Sequence, residues 1–453
     1  MTEVAPSAPS IRERLNREVD VASLAVFRIL FGTLMTFGLG RFLISGWVEE
    51  LFVRPSFFFK YKGFEWVEVW GPTGLYVHFS IIIIAAICVA LGLFYRFSLV
   101  IFLIGFTWIQ LMDQTNYLNH YYLVVLVSAL LLFLPANAAL SIDAHRDPNI
   151  ARDTVPAWTV YLLRYQVAMV YIFAAVAKVG TDWLFHAQPL SIWLSARSDL
   201  PLIGPWLAEP WMAFAMSWGG LLYDGAIVGF LLWRRSRPYA YIAVIAFHMM
   251  TWALFDIGMF PFIMAVFTTI FFAPDWPRRF IEFKSVDREI TSRPLGGWRL
   301  GVVMIWCSFH LIFPLRHLAH SGDVLWNEIG MRYAWKVMVR EKMGSITYRV
   351  ERLSDGREWQ VNPGDYLEPR QLSEMSSQPD MIAQLAHHIR ADFVQRGRGE
   401  VAVRVDALVS LNGRPAHRMI DPQADLTRLS KCLDAYILPE PNQPPLDPWS
   451  KDG

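Results

Sequence analysis

The chain of 453 residues is more apolar than an ordinary soluble protein. Hydrophobic residues make up 54% of it and charged residues only 18%, whereas soluble domains have about 45–50% and about 25%. The formal net charge of +1 does not supply the basic field on which phosphate binding depends. Composition and charge therefore favour an integral membrane protein and give no support for a nucleic-acid partner.

Apolar runs long enough to cross a bilayer recur through the first 317 residues. A hydrocarbon core of about 30 Å needs about 20 mostly apolar residues per helix. Because several runs are short, and because one region fits either a hairpin or a broken helix, we predict eight or nine transmembrane helices. The runs cover residues 21–45, 76–95, 97–113, 119–136, 156–178, 210–233, 238–256, 258–273 and 299–316.

Positive charges divide unevenly between the loops. With nine spans and the N-terminus inside, most of the loop arginines fall on the cytoplasmic side, as is typical of membrane proteins. The 46–75 loop is an exception, since it carries basic residues on the opposite side. We therefore expect a cytoplasmic segment at residues 1–20, a multi-pass domain at 21–317 and an extracytoplasmic domain at 318–453. The internal charges are Arg96, those of residues 139–155, Arg234, Arg235, Arg237, Arg278 and Arg279.

The last 136 residues change from apolar runs to alternating patterns. Residues 345–350 and 401–405 alternate polar and apolar side chains, which is typical of half-buried strands. Residues 362–365 and 411–414 contain turn-forming residues, and residues 379–396 have helical spacing. The predicted fold is thus an all-α membrane bundle followed by a small extramembrane domain of mixed, mostly β structure.

Three nitrogen-bearing side chains lie within or beside the apolar runs: Lys178, His120 and His248. An ionisable side chain inside a membrane costs about 2.5–3.5 kcal/mol or more unless it is paired or hydrated, so each is a candidate functional group. The topology above brings all three toward the outer face, which predicts one shared polar pocket. Desolvation disfavours the charged form of a lysine, and a neutral amine can act as a general base.

Each of these residues also has a structural explanation that the pattern leaves open. Lys178 fits an interfacial anchor that extends to the lipid headgroups. His248 fits a hydrogen bond between helices, and Asn119, before His120, fits a helix N-cap. The sequence has no spacing typical of a metal site, and we expect no metal. Other charged residues fit pairs within the bundle: Arg28, Arg164 and Asp224.

A series of short sequence motifs occurs in a fixed order along the chain. They include SLAVFRILFG at 23–32, NHYYL at 119–123, KVGTDW at 178–183, YAWKVMV at 333–339 and IDP at 420–422. In this order, from about residue 20 to about residue 450, they resemble the vitamin K-dependent γ-glutamyl carboxylases. The membrane part also resembles the wider HTTM group of bacterial proteins.

This resemblance implies a peptidyl-glutamate carboxylase with a coupled epoxidase activity. In that family a lysine amine deprotonates vitamin K hydroquinone, which reacts with O₂ to give a strong base. That base removes the γ-proton of a peptide glutamate, and the carbanion captures CO₂. The implied co-substrates are vitamin K hydroquinone, O₂ and CO₂, and the implied partners are a glutamate-containing protein and membrane lipid. The resemblance points to a bacterial inner-membrane protein.

The resemblance also assigns roles to residues of this chain. Lys178 occupies the position of the base, and His120, with Asn119 beside it, is the candidate for stabilising the hydroquinone anion or its oxygen adduct. Two rival functions stay open: a quinol epoxidase without carboxylation, and a non-enzymatic transporter or lipid-binding protein. The residues expected to bind the quinol are His248, Asn116, Asp182 and Trp183.

Overall fold

The computed structural model describes residues 9–282, 294–428, 435–446 and 449. The predicted N-terminal segment and C-terminal domain therefore fall partly outside the described residues. Within them, the first part of the chain is helical and the last part combines a sheet with helices. This confirms the predicted fold class.

The nine apolar runs each form a helix. The region 238–273 is two helices joined by residues 255–259, so the hairpin alternative is the correct one. The elements up to residue 312 are α1 (Ile11–Asn16), β1 (Glu18–Asp20), α2 (Ala22–Ile44), α3 (Pro72–Leu91), α4 (Tyr95–Met112), α5 (Asn119–Phe133), α6 (Ile142–Arg146), β2 (Thr154–Pro156), α7 (Ala157–Ala177), α8 (Thr181–His186), α9 (Leu190–Ser195), α10 (Gly204–Leu207), α11 (Pro210–Leu232), α12 (Arg237–Leu254), α13 (Phe260–Thr268) and α14 (Trp298–Ile312).

Several of these helices have the length and composition of membrane spans. In the part of the chain that the structure describes, six helices qualify, namely α2, α3, α4, α7, α11 and the segment Trp298–Ala319 that extends α14. Two shorter apolar helices, Asn119–Phe133 and Phe260–Phe271, accompany them. The chain is therefore a membrane protein, while the total of eight or nine spans stays a prediction.

Two buried arginines tie the helices together. Arg28 is fully buried, and its guanidinium donates to the carbonyl oxygens of Val89 (3.1 Å), Ala90 (3.0 Å) and Leu140 (2.6 Å). Carbonyls at a helix C-terminus lack partners within the helix and carry partial negative charge, so a cation stabilises them there. Arg164 does the same at Ile270 and Phe272. The sequence hypothesis that these arginines find partners within the bundle is confirmed. Their partners are backbone carbonyl groups.

The C-terminal domain is built on a four-stranded antiparallel sheet with the strand order β4-β3-β5-β6. Its two long central strands pair in register from Lys342 opposite Leu411 to Arg352 opposite Val401. The Tyr348 hydroxyl links the sheet to a helix, because it donates to the carbonyl of Ile382 at 2.8 Å. Both predicted strands and the predicted helix are confirmed. The elements are α15 (Val324–Asn327), β3 (Lys342–Arg352), β4 (Glu358–Val361), α16 (Pro369–Met375), α17 (Pro379–Gln395), β5 (Val401–Leu411) and β6 (His417–Arg418).

This domain docks on the end of the bundle where α4 ends and α5 begins. The Gln371 amide of α16 donates to the Asp113 carboxylate and to the carbonyl of Phe57, each at 2.8 Å. Burial raises the pKa of Asp113, which lies just beyond the end of α4. The contacts fix the sheet domain against the bundle end that carries the predicted site.

One segment of the C-terminal domain, residues 333–339, enters the bundle. Trp335 is only 1% exposed, and its ring stacks on Tyr122 at 5.1 Å between centroids. The backbone is left-handed at three residues other than glycine, Tyr333 (φ 64°), Trp335 (φ 57°) and Met338 (φ 55°). Such conformations cost about 1–3 kcal/mol each and persist only where packing enforces them, often beside functional sites. We call residues 333–339 the inserted segment.

Candidate functional site

An apolar cavity of about 350 Å³ lies among α7, α8, α11, α12, α13 and the inserted segment. Its walls are mainly aromatic, aliphatic and methionine side chains. The polar side chains in the wall are few, and Lys178 is the one that bears an amine. We call it the lysine cavity.

Lys178 caps the C-terminus of α7 and is buried. Its Nζ donates to Oδ2 of Asp224 at 2.8 Å and to the carbonyl of Ala174 at 3.3 Å. The two charged side chains are 6% and 8% exposed. The hypothesis of an interfacial anchor is therefore wrong, because the amine points into the protein. The structure thus gives the Lys178 amine a carboxylate partner within the cavity.

Local sequence explains the position of the amine. The helix ends at Ala177, and Trp183 of the next helix places its ring 5.2 Å from the Lys178 Nζ. The Trp183 indole donates to the carbonyl of Ser217 at 2.7 Å, which fixes it against α11. A side chain at Gly220 would lie 3.4 Å from the Trp183 ring and 3.9 Å from Cε of Lys178. Glycine therefore keeps the space beside the lysine open.

His248 lies in the same cavity and bonds across helices. Its Nε2 is 3.1 Å from the Tyr171 hydroxyl, which also contacts the Thr268 hydroxyl at 3.3 Å. This confirms the hypothesis of an inter-helix hydrogen bond. Its Nδ1 is buried and has no partner among the described residues. One ring nitrogen thus holds the imidazole in place, while the other is free to bond to a ligand.

A second cavity of about 510 Å³ lies beside the first, between the ends of α2, α4, α5 and the C-terminal domain. Its wall is much richer in polar groups, and we call it the arginine cavity. The polar and charged residues that line it are Arg41, Glu50, Gln110, Asn116, Asn119, His120, Asp256 and Arg370.

Three predicted site residues meet in the arginine cavity. His120 is 6% exposed, and its Nε2 lacks a hydrogen-bond partner in the described chain. Asn119 is the first residue of α5, and its Oδ1 accepts from the Tyr117 hydroxyl at 2.9 Å. The N-cap position belongs to Leu118, so the capping hypothesis for Asn119 is wrong. Asn116 accepts a hydrogen bond from Arg370, and its Nδ2 is without a partner among the residues described.

Phe260 separates the two cavities. Its ring centroid lies 5.9 Å from that of His120 and 5.6 Å from that of His248. Val337 and Met338 of the inserted segment line both cavities. The single shared pocket expected from the sequence is thus two cavities with a common wall, because an aromatic side chain at the start of α13 fills the space between the imidazoles.

Asp182 lies outside both cavities. Its carboxylate accepts two hydrogen bonds from Arg414, at 2.7 and 2.8 Å, and one from the Asn412 amide at 2.9 Å. Asn412 also accepts from the backbone of Glu341 and donates to the carbonyl of Val339, at the end of the inserted segment. The structure therefore places Asp182 in an interdomain contact, in place of the quinol-binding position assigned to it.

Sequence reasoning missed several residues that shape the site. Asp224 was considered only as one charge that pairs somewhere in the bundle, and its lysine partner is 46 positions away. Arg41 lies in the last turn of α2, near the end of the first apolar run, and a charge near the end of a span is the signal that marks it. Arg370, Phe260 and Met338 have no local signal, because only the folded chain brings them to these walls.

Comparison with known proteins gives two matches along the chain. The HTTM domain family model matches residues 16–276. The model described as the lumenal domain of vitamin K-dependent gamma-carboxylase matches residues 297–443, which includes α14 and the inserted segment. No solved structure matches the chain. The first match covers more than half of the chain, and both cavities are built from residues of the two matched parts.

Proposed function

Because the chain belongs to the HTTM domain family, and its C-terminal part to the lumenal domain of the vitamin K-dependent gamma-carboxylases, we propose that it is a vitamin K-dependent γ-glutamyl carboxylase. It oxygenates vitamin K hydroquinone to the epoxide and carboxylates peptide glutamate with CO₂. We place it in a bacterial inner membrane, with the C-terminal domain outside the cytoplasm. The observation that carries the proposal is the buried Lys178–Asp224 pair in an apolar cavity.

The lysine cavity fits a quinol. Small-molecule sites measure about 300–1,000 Å³ and combine apolar walls with a few polar groups, and this cavity has about 350 Å³ with such walls. Phe247 and Trp183 offer flat apolar surfaces for fused rings. Lys178 and the free Nδ1 of His248 are available to hydroxyl groups. When bound, the hydroquinone supplies with O₂ the strong base that glutamate deprotonation requires.

Lys178 accepts a proton from the quinol hydroxyl in this proposal. The Asp224 carboxylate, 2.8 Å away, stabilises the ammonium group that forms, and Trp183 adds the attraction of its ring face. The apolar walls exclude water, which strengthens these interactions and protects a strong base from quenching. His248 holds the ligand through Nδ1, and His120 lies beyond Phe260 in the arginine cavity, where its Nε2 has no partner among the described residues.

The proposal is tested by giving the purified protein vitamin K hydroquinone, O₂, bicarbonate and a glutamate peptide. Epoxide is measured by chromatography and carboxylation by fixation of labelled CO₂. We expect both products, and we expect Lys178→Ala to lower both rates by about 10²–10⁴-fold, the usual contribution of a general base. Small exogenous amines should restore part of the activity. Lys62→Ala, at an exposed loop position, is the matched control and should be unchanged.

The outcomes separate the alternatives. Epoxide without fixed CO₂ would make the protein a quinol epoxidase. Neither product, under conditions in which a known carboxylase works, would overturn both enzymatic proposals and leave a transporter or lipid-binding protein. Wild-type rates in Lys178→Ala would remove the proposed base.

A further inference from the structure

Two arginines line the arginine cavity without an ion pair among the described residues: Arg41, which is half-buried, and Arg370, which is exposed. Arg41 forms no ion pair within the described residues, and its guanidinium lies over the Trp47 ring at 4.7 Å. Arg370 is also without a carboxylate partner in the described chain, and it donates only to the Asn116 side-chain oxygen. Burying a charge is costly unless it is paired, so a guanidinium left unpaired at a cavity wall favours an anionic ligand.

Other arginines near this end of the bundle are paired. Arg332 binds Asp380 at 2.8 Å, Arg340 binds Glu328 at 2.5 Å, and Arg414 binds Asp182. These three arginines therefore have the carboxylate partners that Arg41 and Arg370 lack. Of the two carboxylates that line the cavity, Asp256 is paired with Arg197 at 2.8 Å and Glu50 is exposed.

Two buried N–H donors, one on an amide and one on a guanidinium, lie at the same wall. The Nδ2 of Asn116 and the Nε of Arg41 are buried and make no hydrogen bond to any described residue. Asn116 is 8% exposed and lines the cavity. Buried donors without partners are uncommon in folded proteins, and such groups need a ligand, a water molecule or a functional reason. Guanidinium groups with free N–H donors match the geometry of a carboxylate.

The position of the cavity narrows the choice of anion. It shares Phe260, Val337 and Met338 with the lysine cavity, and Arg370 at its mouth belongs to the C-terminal domain. An anion bound here lies next to the lysine cavity, and it enters through the mouth between the two domains. A peptide side chain that arrives from the outer face can enter the arginine cavity through this mouth.

We propose that Arg41 and Arg370 bind the γ-carboxylate of the substrate glutamate in the arginine cavity. This inference rests on the proposed function. With its carboxylate held by two cations, the side chain keeps its γ-carbon beside the common wall. The positive charge also stabilises the second negative charge that develops at that carbon when its proton leaves. Bicarbonate, the source of CO₂, has the same charge and similar chemistry, and the experiment separates the two.

The kinetic test uses Arg41→Gln and measures KM separately for the glutamate peptide, the quinol and bicarbonate. Loss of a charged hydrogen bond costs about tenfold to a hundredfold in affinity. We expect a rise of that size in the KM for the peptide, with the other two constants within twofold. Arg41→Lys keeps the charge and should recover part of the loss. An unchanged KM for the peptide, or a rise confined to bicarbonate, would overturn the inference.

Two further variants control for the possibility that Arg41→Gln lowers activity by misfolding. Glu50→Gln removes a negative charge from the same mouth, so it should lower the KM for the peptide, and a higher value would count against the site. Arg418→Gln removes an exposed arginine of the C-terminal domain that pairs with Asp406, and it should leave all three constants unchanged.

A binding measurement distinguishes failure of this site from failure of the enzyme. The probe is a labelled glutamate peptide, with the glutamine peptide as its control, on purified protein without quinol. Selective binding of the glutamate peptide that Arg41→Gln abolishes supports the site even if the wild type forms no product. An active wild type whose Arg41→Gln variant binds the peptide equally well would retain the proposed function and refute the site.

Discussion

The two cavities differ in whether their cationic side chains have carboxylate partners. In the lysine cavity the amine has a carboxylate 2.8 Å away, so the pair carries no net positive charge, whether the amine is neutral or protonated. In the arginine cavity the half-buried Arg41 and the exposed Arg370 line the wall without such partners among the described residues. A chamber without net positive charge admits an uncharged quinol and resists anions, whereas arginines without carboxylate partners attract them. On the proposed function, this difference keeps two unlike substrates in separate places until they react.

Removal of the counter-charge in the lysine cavity should have the largest effect. Asp224→Asn leaves the buried lysine without its partner, and breaking a buried pair costs about 3–5 kcal/mol. We expect a lower free energy of unfolding, measured by denaturation in detergent, and loss of epoxide formation.

The double variant Lys178→Met with Asp224→Leu sharpens the result. It removes both charges, so it should regain most of the stability while it stays inactive. A double variant as unstable as Asp224→Asn would show that the pair does not behave as an isolated buried ion pair.

Opening the wall between the cavities should have the next largest effect. Phe260→Ala merges the two chambers and lets the reacting groups shift, and a misplacement of about 1 Å costs on the order of 10²-fold. We expect carboxylation to fall at least tenfold more than epoxide formation, measured as the ratio of fixed CO₂ to epoxide. Phe262→Ala, two positions along α13 and against Trp252, is the control. An equal fall in both products would argue against a dividing role.

The contact between Asp182 and Arg414 should give a smaller effect. Arg414→Gln removes a largely buried ion pair that holds the residues after Lys178 against the sheet domain, and we expect a loss of about 1–3 kcal/mol in stability. Turnover should fall more than the affinity for either substrate, because neither substrate contacts this pair. Exchange of the two residues should restore part of the turnover, and no recovery would point to a purely local role.

The smallest effect is expected at the pair Arg404–Glu351 on the sheet. The side chains are 27% and 32% exposed, and pairs of this kind contribute less than about 1 kcal/mol. Arg404→Gln should leave both activities at wild-type levels and barely shift the thermal denaturation midpoint. A large loss of activity would mean that the sheet surface takes part in substrate handling.

Most of the fold was predictable because its signals are local. Hydropathy alone marks the nine helices, and the alternation in residues 345–350 and 401–405 marks the two long strands. The interruption between α12 and α13 lies at Phe255 to Met259, and the sequence pattern left that region open. Hydropathy cannot decide there, because both of its sides are equally apolar.

The site was predictable only in part. The sequence located Lys178, His248 and Trp183, which do meet, and His120 with its two asparagines, which also meet. It joined the two groups into one pocket, because the position of Phe260 depends on tertiary packing. The partnership of Lys178 with Asp224 and the pairing of Asp182 with Arg414 join distant positions, so no local pattern identifies them.

The inserted segment makes the sheet domain part of both cavity walls. Val337 and Met338 complete the walls of both cavities, and the left-handed backbone at Met338 is held there by the docked domain. A bundle that lacks this domain would therefore lose part of the wall of each cavity. On the proposed function, that loss would expose a bound quinol to water.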